Sequence, residues 1–318
     1  MKRSSDDVRA HPIAIVGGRG YLGSNLADHI EASGRRFWVV DRDIPIVDHK
    51  VNREYRNISP DIAVAVRGAH TVVHLATLTT PATGESNPGL DMENVRFTIE
   101  LISACKAENV RHIIFASSGG TIYGDVGKRP AVEADIPRPS CSYAIAKLAC
   151  EHYLRLATRD GKLSATVLRI SNLYGGGQTV KGEQGVIGYL VAKIAAGEKF
   201  EIMGDTVRDY IHIDDACRAF LAAIITGVNI STGDAGESAF RLCNVSTGVG
   251  TSLSGLIDIV ARAYGRKAEY SIGHRRFFDL PFNVLDNTIA REILNWTPRI
   301  ALEDGVASCI CPPKGDKR

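Results

Sequence analysis

Tyr143 and Lys147 stand four residues apart in Ser142 to Ala149, a segment that reads as helix. Positions i and i+4 share a helix face. An ammonium held beside a phenol favours phenolate and lowers the tyrosine pKa. Free tyrosine titrates near ~10, so bringing it to about 7 takes roughly 4 kcal/mol of differential stabilisation. A tyrosine so activated can take a proton from a hydroxyl. The chain has ten tyrosines, so the spacing gains meaning only from its surroundings.

A second motif lies near the N-terminus. Gly17, Gly20 and Gly23 join an apolar run, Pro12 to Gly17, to an amphipathic stretch, Tyr21 to Ser33. Glycines between a strand and a helix allow a tight turn and the close approach of a pyrophosphate to the helix N-terminus. Asp41 ends the next apolar run, 21 residues after Gly20. A carboxylate there binds ribose hydroxyls and repels a 2′-phosphate, which favours NAD. Arg19 and Arg42 could instead welcome that phosphate, so NADP stays open.

The elements that must position these groups alternate. Strands are predicted at 12–17, 37–41, 71–76, 112–117 and 165–170. Helices are predicted at 21–33, at 59–67 with Ser59 as cap and Pro60 at the first helical position, at 91–108 and at 142–158. Apolar strands separated by helices imply a doubly wound α/β domain with a parallel sheet covered on both faces. After Tyr174 the rhythm changes. Helices are predicted at 186–196, 214–226 and 252–264, with a loop over 227–238. The expected organisation is a dinucleotide-binding Rossmann domain over 12–173 and a smaller α+β substrate domain over 174–311. Some segments of the second return to the sheet, and 312–318 form a polar tail.

Glycines spaced Gly-x-x-Gly-x-x-Gly, followed about 120 residues later by Tyr143 and Lys147, resemble the extended short-chain dehydrogenase/reductases. Within them the chain is most similar to nucleotide-sugar epimerases of the UDP-glucose 4-epimerase type. The likeness runs through His74 to Ala76, Asn94, Ser117 to Gly124, Arg169 to Gly175, Arg208 to Asp215, Arg275 to Pro281 and Leu294 to Pro298. The resemblance implies cofactor contacts from Gly17, Gly20, Tyr21, Leu22, Gly23, Asp41, Arg42, Asn57, Ile58, Leu75, Ala76, Asn94, Ser117, Tyr143 and Lys147. It implies substrate contacts from Asn172, Arg208, Arg276 and Asp279, the arginines holding a diphosphate through planar paired donors. It implies that Tyr143 takes the hydroxyl proton while C4 of a UDP-hexose passes hydride to NAD, and that the 4-keto sugar turns and recovers it. Lys147 keeps Tyr143 ionised. His212 and Asp214 are expected to set a turn.

The chain departs from the family pattern at Gly119, where the catalytic Ser or Thr usually sits. That hydroxyl must come from Ser118 or Thr121. Gly120 and Thr121 also stand where dehydratases and decarboxylases carry acidic residues, so acid-catalysed elimination has no evident acid. The rival readings are an NADP-dependent nucleotide-sugar 4-ketoreductase and a non-catalytic cofactor-binding regulator.

Composition adds bounds. The 318 residues carry a formal net charge of +2 and 44% hydrophobic residues. This fits a globular protein with neither a nucleic-acid footprint nor a membrane span, and a cytoplasmic location is expected. The seven cysteines are scattered, and Cys309 and Cys311 lack metal-ligand spacing, so no metal site is expected. A homodimer through the helices at 91–108 and 142–158 is implied by the resemblance.

Overall fold

The computed structural model describes residues 11–42, 53–58, 61–176, 185–230, 239–275 and 279–310. The first part of the chain runs β1 (Ile13–Val16), α1 (Tyr21–Ala32), β2 (Phe37–Asp41), β3 (Glu54–Asn57), α2 (Ile62–Val66), β4 (Thr71–His74), α3 (Pro81–Ser86), α4 (Pro88–Ala107), β5 (His112–Ser118), α5 (Ser142–Ala157) and β6 (Ser164–Ile170). The second part runs β7 (Asn172–Tyr174), α6 (Val186–Ala196), β8 (Phe200–Met203), β9 (Val207–His212), α7 (Ile213–Ile230), β10 (Phe240–Val245), β11 (Gly250–Ser252), α8 (Leu253–Tyr264), β12 (Tyr270–Gly273), β13 (Phe282–Asn283), α9 (Thr288–Leu294) and α10 (Leu302–Ile310).

Seven parallel strands form the main sheet in the order β10-β6-β5-β4-β1-β2-β3. Its central strands are buried on both faces, as their unbroken apolar runs require. Ala14, Val16, Val72 and Phe115 pack with residues of α2, α4 and α5 on one face. Ile13, Ile15 and Val73 pack with residues of α1, α7 and α9 on the other. The strand order reverses between β1 and β4, the place where an open α/β sheet leaves a crevice at its carboxyl edge. A smaller unit is built from β7, β9, β11 and β13, the β8–β12 pair, and α6, α8 and α10.

Beyond residue 174, β10 is the edge strand of the main sheet, and α7 covers one of its faces. Trp296 fastens the chain end there. Its indole donates to the Asp215 carbonyl at 3.0 Å, while the Asp215 carboxylate accepts from the amides of Arg299 and Ile300.

Several boundaries differ from expectation: the helix expected at 91–108 starts at Pro88, and the strand expected at 71–76 ends at His74. The helix after β3 starts at Ile62, and its cap is Asp61, whose carboxylate accepts from the Ala63 amide at 2.8 Å. Ser59 and Pro60 lie outside the described residues. The loop expected from Gly227 is helix as far as Ile230, and 231–238 lie outside the described residues. Gly227 is there for close packing: a Cβ on it would stand 1.8 Å from Nδ1 of His112 on β5.

Candidate active site

The glycine turn lies between β1 and α1. Gly17 has φ +81°, and a Cβ on it would stand 2.6 Å from the Ala76 amide nitrogen. A Cβ on Gly23 would stand 2.5 Å from the Gly17 carbonyl, so the helix approaches the turn closely only with glycine here. A Cβ on Gly20 would meet only that carbonyl, at 3.4 Å, so its Cα faces open space. Asp41 sits across this opening. Its carboxylate accepts from the backbone amides of Arg19 at 3.1 Å and Arg42 at 2.8 Å. Asn57 pairs with Asp41 in register, and the Ile58 amide bonds the Asp41 carbonyl. The Tyr21 hydroxyl is buried with no hydrogen-bond partner among the described residues, so this side chain serves the interior.

Tyr143 and Lys147 line one recess with Ala76, Asn94, Thr98, Phe115, Ala146 and Cys150. Helix α5 brings the pair to the carboxyl ends of β4 and β5. Lys147 is buried, and its Nζ donates to the Ala116 carbonyl at 3.0 Å. The Nζ lies 4.7 Å from the Phe115 ring centre and 5.7 Å from that of Tyr143. Burial lowers the ammonium pKa to about 8, against the opposing pull of Cys150, Glu151 and Asp91. Burial also raises the Tyr143 phenol, with Cys141, Asp91 and Cys150 adding to the rise. The expected lowering by Lys147 is therefore corrected for the protein alone. Burial disfavours the phenolate, and the Lys147 ammonium is turned to the Ala116 carbonyl instead. His74 lies in the same layer. It is buried, its Nε2 is 3.0 Å from Thr98 Oγ1, and burial with Lys147 nearby lowers its pKa to about 3.

The carboxamide of Asn94 is engaged internally. It accepts from the Leu78 amide at 2.8 Å and donates to Thr79 Oγ1 at 2.9 Å, holding the segment after β4. Ser117, expected at the cofactor, donates to Glu151 at 2.5 Å. Thr121 donates to Ser118 at 3.1 Å, so the two candidate hydroxyls are coupled and both remain candidates. Gly119 has a structural cause: a Cβ there would stand 2.2 Å from Leu285 Cδ1 and 3.3 Å from the Arg169 carbonyl.

Beside the hydroxyl loop, Asn172 donates to the Asp209 carbonyl at 2.9 Å where β7 pairs with β9, and its Oδ1 and Ser118 Oγ both approach Gly120. Arg208 is half-buried. Its Nη1 donates to the carbonyls of Val207 and Leu280, and burial lowers its pKa. Arg275 bonds the Asp279 carbonyl. Arg276 lies outside the described residues. His212 and Asp214 do set a turn, the Asp214 amide bonding His212 Nδ1 at 3.2 Å. Among the described residues, no group of three or more His, Cys, Asp and Glu side chains could hold a metal.

A family model described as NAD dependent epimerase/dehydratase matches residues 13–235. The chain belongs to this family. It is 31% identical over 312 residues to a UDP-glucose 4-epimerase of Mycolicibacterium smegmatis, covering 93% of this chain and 96% of the relative. It is 28% identical to a dTDP-4-dehydro-6-deoxyglucose reductase of Escherichia coli, covering 96% and 98%. The UDP-glucose 4-epimerase of Thermotoga maritima, solved with UDP-glucose, superposes with a TM-score of 0.83 at 30% identity, covering 94% and 97%. That of Thermus thermophilus, solved with NAD, gives 0.80 at 26%, covering 94% and 97%. The epimerase fold and its cofactor class thus agree with the glycine turn and the Tyr143–Lys147 recess. Sequence reasoning assigned no role to Glu151. The available signal was its place on the line of Tyr143 and Lys147, at positions i, i+4 and i+8 of α5.

Proposed function

We propose that the chain is an NAD-dependent nucleotide-sugar epimerase acting at C4 of a UDP-hexose. One observation carries this reading: Tyr143 and Lys147 share a recess with Ala76, and Ala76 touches Gly17 of the glycine turn. A dinucleotide laid on the turn would reach that recess. The residues fit the group, because Gly20 leaves space at the helix N-terminus and Asp41 offers a carboxylate at the far end. When bound, NAD supplies a hydride acceptor that can return what it takes.

The chain's own groups handle the proton and the sugar. Tyr143 holds and returns the hydroxyl proton at its phenol oxygen. Lys147 supplies the cation that offsets a phenolate in a buried site, fixed by the Ala116 carbonyl. Ser118 or Thr121 hydrogen-bonds the sugar oxygen. Arg208, held by two backbone carbonyls, and Arg276 anchor the diphosphate, so the sugar can turn while the nucleotide stays. Asn172 and Asp279 belong to the same side. Incubation with UDP-galactose should yield UDP-glucose with no cofactor added. Failure to convert any UDP-hexose or its N-acetyl form, with Tyr143→Phe equal to wild type, sinks the reading.

The similarity to the Escherichia coli reductase favours a second reading, a nucleotide-sugar 4-ketoreductase. It uses the same tyrosine and lysine but consumes reduced cofactor in net turnover. Cofactor retained through purification separates the epimerase from it. We also propose a homodimer contact through α4 and α5, whose exposed residues include Met92, Ile145 and Leu156.

A further inference from the structure

We infer that Ser117 and Glu151 are positioning residues that tie the catalytic helix to the hydroxyl-bearing loop, so that Ser117 is not a cofactor ligand. The inference rests on the epimerase reading for its kinetic arm and on geometry for the rest. Tyr143, Lys147 and Glu151 form one line on α5, and the last two grip consecutive residues at the end of β5. Lys147 Nζ holds the Ala116 carbonyl at 3.0 Å. Glu151 Oε1 accepts from Ser117 Oγ at 2.5 Å. The carboxylate is itself fixed by Arg169 of β6, whose Nε and Nη2 donate at 3.0 and 2.6 Å, and all three side chains are buried. A charge-assisted hydrogen bond in a dry interior is short and directional. The Arg169 guanidinium also covers the Tyr123 ring at 4.7 Å, and the Tyr123 hydroxyl donates to Asn244 at 2.6 Å.

The segment from Ser117 to Tyr123 is therefore held at both ends. Between them stand Ser118 and Thr121, the two candidate hydroxyls. At its start the β5–β6 ladder holds the backbone of 116–118, and the Ser117 tie adds a side-chain link to α5 beside the Ala116 carbonyl that fixes Lys147. Releasing Ser117 leaves the β5–β6 ladder in place but loosens α5 against the strand end, shifting the ammonium relative to the hydroxyls without removing a group that touches substrate. Misplacement of this kind acts on the rate more than on binding.

The test uses Ser117→Ala, which leaves the Glu151–Arg169 pair intact. Expected are a kcat about tenfold lower, KM for the UDP-sugar within twofold of wild type, and unchanged NAD retention. Hydrogen exchange of the 118–123 amides should rise, and Ser117→Thr, which keeps the hydroxyl, should restore kcat to within about threefold. Weaker NAD retention with kcat unchanged at saturating NAD, and no change in exchange, would overturn the proposal in favour of a cofactor contact. If wild type converts no nucleotide sugar, the epimerase reading fails, but the exchange of 118–123 in Ser117→Ala still decides the tie. Glu151→Gln checks it independently: the same segment should exchange faster, and unaltered exchange there speaks against the tie.

Discussion

Lys147 carries an ammonium into the interior, and its pKa of about 8 gives this a pH signature. The folded value lies below the unfolded 10.5, so the unfolded chain binds more protons between those pH values. Stability from this group therefore rises with pH from about 8 to 10.5. Below pH 8 the buried charge costs on the order of 3 kcal/mol. Cofactor-free Lys147→Met should thus be the more stable protein in urea titrations at pH 7, and its advantage should shrink as pH rises toward 10. A constant advantage would place the proton elsewhere. At Gly119, restoring the family's serine should not add activity. Its Cβ meets Leu285, and the overpacking should cost roughly 1–3 kcal/mol in a denaturant melt. Tyr143→Phe should lose at least about 100-fold in kcat, the scale of a removed general base, while keeping bound NAD. The sequence made the pair legible through spacing alone. It could not show that burial reverses the expected shift of Tyr143, because desolvation depends on what covers the phenol. Nor could it show that Ser117 points to Glu151, which lies 34 residues away.

Most long elements with strong periodicity were readable, though the alternating β8 and the amphipathic α10 were missed. Helices α1, α5 and α6 fall where the apolar spacing puts them, within a residue or so at either end. Strand β3 escaped because Glu54 to Asn57 is polar and its edge position leaves it half-exposed. Strands β11 and β13 have three and two residues, too few to show alternation. At 227 a glycine looked like the start of a loop, since a single chain cannot reveal which partner comes close. The partner is His112, and this predicts a severe local defect. Gly227→Ala should lower the melting temperature by several degrees, because α7 must lift from the sheet to clear the ring. Its activity at low temperature should survive, since neither residue approaches the recess. A melting temperature equal to wild type would refute that account of the glycine.

As a whole, the molecule should be acid-sensitive well above the carboxylate range. Burial lowers His74 and His112 to about 3 and His70 to about 4. Their folded values lie below the unfolded 6.5, so stability is lost as pH falls from 6.5 toward those values. The urea midpoint should drop steeply between pH 6.5 and 4.5, and His112→Phe should flatten the drop. At the surface, Ile145→Glu should turn a dimer into a monomer in light scattering if α4 and α5 form the contact, and leave the mass unchanged if they do not. The edge strand β10 has a consequence for how the chain is made. It joins β6 in parallel, although 69 residues separate Ile170 from Phe240. A ribosome that has released only the first 173 residues has delivered six of the seven strands, and β6 is then an edge whose hydrogen-bonding groups are unpaired on the side β10 will cover. The sheet closes only after strands β7 to β9 have emerged. Synthesis therefore couples the two halves, and the nucleotide-binding half waits for its last strand in a form open to chaperones and to other nascent chains.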